Sequence, residues 1–478
     1  MAFNNEDQES LHNRLAYQIG VTKPPTATKC RQLLLKSREI CLLLWPSPIS
    51  AYFGLNSAPT KCWGSTGYLT GLRGVACLAV FTEHFLMRFH PKLLDEYGEH
   101  PKFYQLPGIR LLYSGSVMVS IFFIISGFSL SIGPLRTIYN RDWEHFHQLM
   151  FSAALRRPIR LILPPTAVTF VVMIGVRFSL YQSHYDSPID LDWRGPIRQP
   201  TFALQLLDWV EYVLGRLVYP GEWLLPLPTV SPSEYAVPLY TIPQELWSSF
   251  LLFIFIVALS KVRPAVRLIT LFFLVMLSAW CMRKKSSCFL VGMALAELHL
   301  HRHLYPPQEH SRSASNLWKY LSVGLWSFVL LLGIWMCSIP HTRGAYGSSS
   351  IGYRMISRII PWNSNVYTIG AALVVLAIDQ LPIVQAVFRT SPAEYLGKIS
   401  FSLYIIHWPI LAAWRWSVVP FMCRVTGDHT ALRYGAGFAL AAVCVTPVVL
   451  WIADICWRLV DETSIQFAKR WENMISIE

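Results

Sequence analysis

The chain has 478 residues, of which 53% are hydrophobic and only 14% charged, with a mean hydropathy of +0.38. Soluble domains carry about 25% charged residues, so the composition excludes a soluble protein and points to an all-α, polytopic membrane protein. The formal charge of +13 does not imply nucleic acid, because no basic run alternates with stacking aromatics; positive loops on the cytoplasmic side of a membrane account for it. The ten cysteines form no CxxC pair, so neither a metal site nor a disulfide framework is implied.

Residues 1–64 read as a peripheral cytoplasmic segment. Its stretch from Arg31 to Trp45 mixes basic residues with leucine clusters too short to span a bilayer, which needs about 20 residues. An interfacial helix and a partly ordered tail both fit. Residues 65–478 read as one transmembrane domain ending in a cytoplasmic tail. About ten spans are expected, near 70–89, 114–132, 161–180, 239–259, 266–282, 287–299, 320–339, 366–380, 399–417 and 434–455.

Loop charges orient these spans. Arg136, Arg141, Arg156, Arg157 and Arg160 precede the third span, and Lys261, Arg263, Arg302, Arg312, Arg389 and Lys398 fall on the same side. That side is cytoplasmic by the positive-inside tendency. The triplet Arg283-Lys284-Lys285 does not fit, since it should face outward. The longest outward loop, 181–238, is rich in tryptophan and acids, including Asp190, Asp192, Trp193, Trp209, Glu211 and Trp223. Acceptor recognition, a lid and plain packing all fit a loop of this length.

Ionisable groups inside spans are costly and usually face a cavity. The first span carries Arg73 and His84, eleven residues apart. That spacing is about three turns plus 20°, a drop of about 16 Å along one stripe of one helix. A guanidinium near the surface and an imidazole near mid-membrane suit a long polyanionic ligand whose reactive end reaches inward. Histidine is a natural general base toward an alcohol, although a lone membrane histidine also serves to bond a neighbouring carbonyl. Glu83 points about 100° away from His84, so a carboxylate from another helix is a better orienting partner. Glu245, in Leu239-Tyr-Thr-Ile-Pro-Gln-Glu-Leu-Trp247, is expected at comparable depth, either beside His84 or pairing with a basic group to hold helices together.

Four further stretches complete the pattern. Ser126-Gly-Phe closes the second span, where small residues also allow close packing. Leu155-Arg-Arg-Pro-Ile-Arg-Leu-Ile-Leu-Pro164 opens the third, with Arg157 and Arg160 on one face at the cytoplasmic membrane edge. Such arginines bind phosphates with two parallel hydrogen bonds, whether of a substrate or of lipid headgroups. Phe289-Leu-Val-Gly-Met-Ala-Leu-Ala-Glu297 follows, with Glu297 in a structural position. Leu396-Gly-Lys-Ile-Ser-Phe-Ser-Leu-Tyr-Ile-Ile-His-Trp-Pro409 places Tyr404 and His407 on one face.

Taken in order, these motifs resemble the membrane-bound acyltransferase 3 family over roughly residues 65 to 460. The Pro-Gln-Glu form of the glutamate motif and the closing Trp457-Arg-Leu-Val-Asp-Glu-Thr-Ser464 are similar to fungal members. Tyr240 departs from the family's usual tryptophan. The resemblance implies an integral, multi-pass O-acyltransferase of the endomembrane system or plasma membrane. It would have no bound cofactor and use acyl-CoA, most simply acetyl-CoA, as co-substrate. The acceptor would be a hydroxyl of a small molecule, such as a secondary metabolite, or of a glycan.

Carried onto this chain, Arg73, Arg157 and Arg160 would hold CoA phosphates. Ser126 and Tyr404 would line the substrate cavity. His84 would act as base or acyl relay, with Glu245 orienting it. His407 would be a second catalytic histidine, a donor to the thioester oxygen or a packing residue. The rival reading is a proton-linked transporter built on the same His and Glu groups, against which the two halves of the chain show no internal repeat.

Overall fold

In the computed structural model the described residues are 45–52, 64, 66–87, 102–181, 196–219, 235–281, 284–304, 312–340, 352–360, 363–427 and 429–476. They are helices and connecting turns, with no strand among them. The chain divides into two units, Met1–Lys61 and Cys62–Glu478. The described part of the first is Trp45 to Tyr52 with one short helix, α1 (Ser47–Tyr52); the proposed interfacial helix lies outside the described residues, apart from Trp45.

The second unit holds a helix at each of the ten expected spans. These are α2 (Gly67–Leu86), α3 (Gly115–Tyr139), α4 (Trp143–Arg177), α6 (Thr241–Ala258), α7 (Pro264–Trp280), α8 (Lys284–Leu304), α9 (Arg312–Cys337), α11 (Asn363–Gln380), α13 (Ser391–Thr426) and α14 (Ala431–Cys456). Between them lie α5 (Phe202–Tyr212), α10 (Tyr353–Ile359) and α12 (Pro382–Phe388), and α15 (Glu462–Ile475) closes the chain. Among the described residues seven helices are long and apolar enough to cross a membrane, or eight when α11 and α12, bent by 103° at Leu381, count as one broken span. The protein is therefore a polytopic all-α membrane protein.

Two helices are much longer than their sequence reading. Helix α4 starts at Trp143, not near 161. Asp142 caps it, accepting from the backbone N–H of His145 at 3.1 Å, and Pro158, Pro164 and Pro165 lie inside it. A proline near a membrane edge reads as a helix start, but interior prolines are tolerated where neighbouring helices re-satisfy the backbone. Arg157 and Arg160 consequently sit about 21 and 26 Å from the start of the helix. Helix α13 likewise runs through Pro409 and Pro420, and stops at Gly427, whose φ of +87° lies in the left-handed region.

The expected outward loop 181–238 contains ordered structure. Within it α5 continues into a π turn, Val213–Val218. Trp209 donates to Thr169 of α4 at 3.1 Å, and Tyr235 donates to Asp208 at 2.6 Å while accepting from Gln205 at 3.0 Å. Burial and the Asp208 carboxylate push the Tyr235 phenol well above its usual range, so it stays a donor. Asp190, Asp192, Trp193 and Trp223 lie outside the described residues.

Close helix contacts explain two of the glycine motifs. Any Cβ on Gly127 of α3 would strike the backbone of Phe289, and one on Gly292 of α8 would strike that of Ile124. Gly74 of α2 and Gly397 of α13 meet in the same way. Small residues thus let backbones approach, as expected where apolar burial alone cannot drive helices together. The Arg283-Lys284-Lys285 misfit resolves in part: Lys284 and Lys285 begin α8, and the Lys285 ammonium lies 5.1 Å above the Phe123 ring.

Candidate active site

Six of the eight residues singled out from the sequence line one cleft. Arg73, Ser126, Arg157, Arg160, Glu245 and Tyr404 surround about 670 Å³ of atom-free space, with Phe122, Phe123, Leu161 and Phe401 as its apolar wall. Helices α2, α3, α4, α6 and α13 each contribute. The other two, His84 and His407, form a pair beyond Tyr404, whose ring lies 5.9 Å from that of His407.

The three arginines are held differently. Arg157 donates to Glu245 at 2.6 Å and to Ser249 at 3.2 Å. Glu245 also accepts from Ser126 at 3.1 Å. Arg73 donates to the backbone oxygen of Gly397 at 3.2 Å, and its Nε has no partner among the described residues. Arg160 makes no hydrogen bond or ion pair among the described residues, so its guanidinium donors face the cleft uncommitted.

The expected contact between Glu245 and His84 is not the one formed. Helix α6 is entered through the turn Val237–Tyr240, of which Pro238 and Leu239 are buried, and the Pro238 oxygen accepts from Tyr404 at 2.8 Å. Thr241 Oγ1 lies 2.7 Å from the same phenol. The start of α6 is therefore level with Tyr404, one turn short of His407, and Glu245 descends a further turn. This leaves Glu245 about 10 Å below the histidines along the helix axes. Helix α2 packs along α13 and α3, so the partner His84 meets is on α13. Glu83 turns away from His84 and caps the first N–H of α3 at Gly115.

That partner is His407. Nδ1 of His84 lies 2.8 Å from Nε2 of His407, and the rings stack at 4° with centroids 5.1 Å apart. Trp408 meets the His84 ring edge-on at 5.2 Å. The tautomers follow from the one partner that can only accept. Nδ1 of His407 lies 3.0 Å from the Leu403 carbonyl, so it carries the proton and Nε2 is bare. Nδ1 of His84 must then donate to it, which makes Nε2 the basic nitrogen of His84.

Residues the sequence reading passed over also matter here. Thr241 fixes Tyr404, Ser249 holds Arg157, and Ser400 lines the cleft. Ser249 had a legible signal, being one turn after Glu245 on the same face. Tyr404 itself spends its proton on Pro238, so it offers the cleft a ring and not a donor.

The family model described as an acyltransferase domain (Acyl_transf_3) matches residues 66–458. O-acetyltransferase PaAT-1 of Phomopsis amygdali is 30% identical over 437 residues, covering 87% of this chain and 86% of that protein. Acyltransferase clz18 of Cochliobolus lunatus is 24% identical, covering 83% and 93%, and acyltransferase R4 of a Phoma species is 22% identical, covering 87% and 97%. No solved structure matches the chain. With the motifs ordered around one cleft and the family match spanning most of its length, the chain belongs to the acyltransferase 3 family.

Proposed function

We propose that this membrane acyltransferase is an O-acyltransferase that moves an acyl group, most simply acetyl, from acyl-CoA to a hydroxyl of a small-molecule or glycan acceptor. The observation that carries this reading is an arginine-lined cleft whose Tyr404 ring lies 5.9 Å from that of His407, the partner that sets the basic nitrogen of His84. Arg73 and Arg160 have donors to offer a phosphate, whereas Arg157 is committed to Glu245. The relatives' names, an O-acetyltransferase among them, support the same reaction class.

In the reaction the acceptor oxygen attacks the thioester carbonyl as Nε2 of His84 takes its proton. The C–S bond then breaks, and the thiolate of CoA recovers that proton from the imidazolium. His407 accepts from Nδ1 of His84 throughout, holding the ring and offsetting the charge that develops on it. Glu245 acts on the cleft by holding Arg157 and Ser126, not on His84. Phosphates are held on the cytoplasmic side, where acyl-CoA is found, and the thioester extends past Tyr404.

The test is release of free CoA thiol by the purified protein, given acetyl-CoA and a panel of alcohols, with acylated product detected by mass. Thiol release that depends on an alcohol supports the reading. Transport of a solute without thioester cleavage overturns it.

A further inference from the structure

Helices α2 and α13 run parallel in a fixed register. Gly74 meets Gly397, Cys77 Sγ donates to the Ser400 carbonyl at 3.2 Å, and His84 meets His407, the last two pairs each 323 residues apart. On α13 the cleft is lined by Ser400, Phe401 and Tyr404, and on α2 by Arg73. Neither histidine is among the described residues that line it, so the cleft ends at Tyr404, one turn short of His407. His84 is nevertheless partly exposed, whereas His407 is 1% exposed. The surface that His84 exposes therefore lies outside the arginine cleft.

Tyr404 is fixed at this boundary by both its ring and its hydroxyl. The ring centroid lies 5.9 Å from that of His407 and 6.3 Å from that of Phe122 on α3. The phenol donates to the Pro238 carbonyl at 2.8 Å and lies 2.7 Å from Oγ1 of Thr241, which is 3% exposed. Pro238 and Thr241 form the entry to α6, so these bonds tie α6 to α13 across the end of the cleft. Each such bond is modest in net strength, enough to hold the ring shut and weak enough to yield to an entering ligand. Closing a site against water protects a reactive intermediate from hydrolysis.

We propose that Tyr404, latched by Pro238 and Thr241, is the residue that favours transfer over hydrolysis: it shuts the water of the arginine cleft off from His84 and turns aside for the thioester arm. This rests on the cleft being the acyl-CoA site. Where the barrier leaks, water takes the acceptor's place. Its oxygen attacks the thioester carbonyl as Nε2 of His84 takes its proton; the C–S bond breaks, and the thiolate recovers that proton. The products are free carboxylic acid and CoA. Thr241 acts through Tyr404 and is a positioning residue.

The test measures two products from acetyl-CoA with purified protein: acetate released without an alcohol, and acetyl ester formed with one. Their ratio is independent of how much protein is folded. Tyr404→Ala, which removes the barrier, should raise the ratio of hydrolysis to transfer about tenfold or more. Tyr404→Phe and Thr241→Val keep the shape and cut the latch, and each should raise it about threefold. The two together should do no more than either alone, because both remove one unit. Thr241→Ser keeps the hydroxyl and should restore the wild-type ratio. Should Tyr404→Ala fold too poorly to assay, Tyr404→Phe and Thr241→Val decide. An unchanged ratio in those two variants, even with lower total activity, overturns the barrier, as does a rise in Thr241→Ser equal to that in Thr241→Val. A wild type that releases CoA with no alcohol in the panel overturns the acyltransferase reading itself, whereas normal wild-type transfer with unchanged latch variants overturns the barrier alone.

Discussion

His84 and His407 face each other across the contact between α2 and α13, with Nδ1 of one 2.8 Å from Nε2 of the other. The contact is 323 residues long-range in sequence, and it is held from below by the Gly74–Gly397 approach, where no Cβ fits. The backbone carbonyl of Leu403 fixes the proton on His407, and His407 fixes the proton on His84.

If the two histidines act as one unit, their losses should not add. His84→Ala should lower kcat by about 10²–10⁴, the usual contribution of a general base. His407→Ala should cost less alone and almost nothing once His84 is gone. His407→Gln keeps an acceptor toward Nδ1 and should retain more activity than His407→Ala. Additive losses across the cycle would show that His407 works independently of His84.

Glu245 and Arg157 should behave as a structural couple of the cleft. Arg157→Ala and Glu245→Gln are expected to lower the detergent unfolding temperature by similar amounts, with a coupling of about 1–3 kcal/mol in the double variant. Removing Arg157 should raise the donor KM less than removing Arg160, whose guanidinium has no partner among the described residues to lose. A larger KM effect at Arg157 would assign the phosphate contact to it instead.

A second buried pair lies away from the cleft. Arg267 donates to Glu297 at 2.7 Å with both side chains at or below 1% exposure, and Tyr139 donates to the same oxygen at 2.8 Å. Removing one partner of such a pair leaves an uncompensated charge costing about 3–5 kcal/mol. Glu297→Ala should therefore reduce the yield of folded protein sharply. Arg267→Met with Glu297→Leu should recover much of it, because replacing both partners by apolar groups is tolerated. Thermal unfolding of the two variants side by side measures this.

Much of this arrangement is legible in the sequence because each signal is local. The eleven-residue interval of Arg73 and His84 places them on one stripe, and the three-residue interval of Tyr404 and His407 puts both on one face. Composition and hydropathy alone locate ten helices. What failed was depth. Leu155–Pro164 reads as the opening of the third span, whereas the helix begins at Trp143 and runs through prolines 158, 164 and 165. The turn Val237–Tyr240, through which α6 is entered level with Tyr404, lowered Glu245 away from His84. Register along the membrane normal depends on how helices of unequal length pack, and no interval within one helix encodes it.

Donor binding at Arg73 and chemistry at His84 are separated along a single helix, and one measurement addresses that directly. Acetyl-CoA affinity and kcat are determined for Arg73→Ala and His84→Ala, with folding checked for both. Arg73→Ala should weaken acetyl-CoA binding about tenfold or more at little cost in kcat, while His84→Ala should bind acetyl-CoA within about twofold of wild type and lose kcat by about 10²–10⁴. Comparable, mild effects from both substitutions, or near-normal turnover in folded His84→Ala, would contradict the assignment of the reacting base to His84.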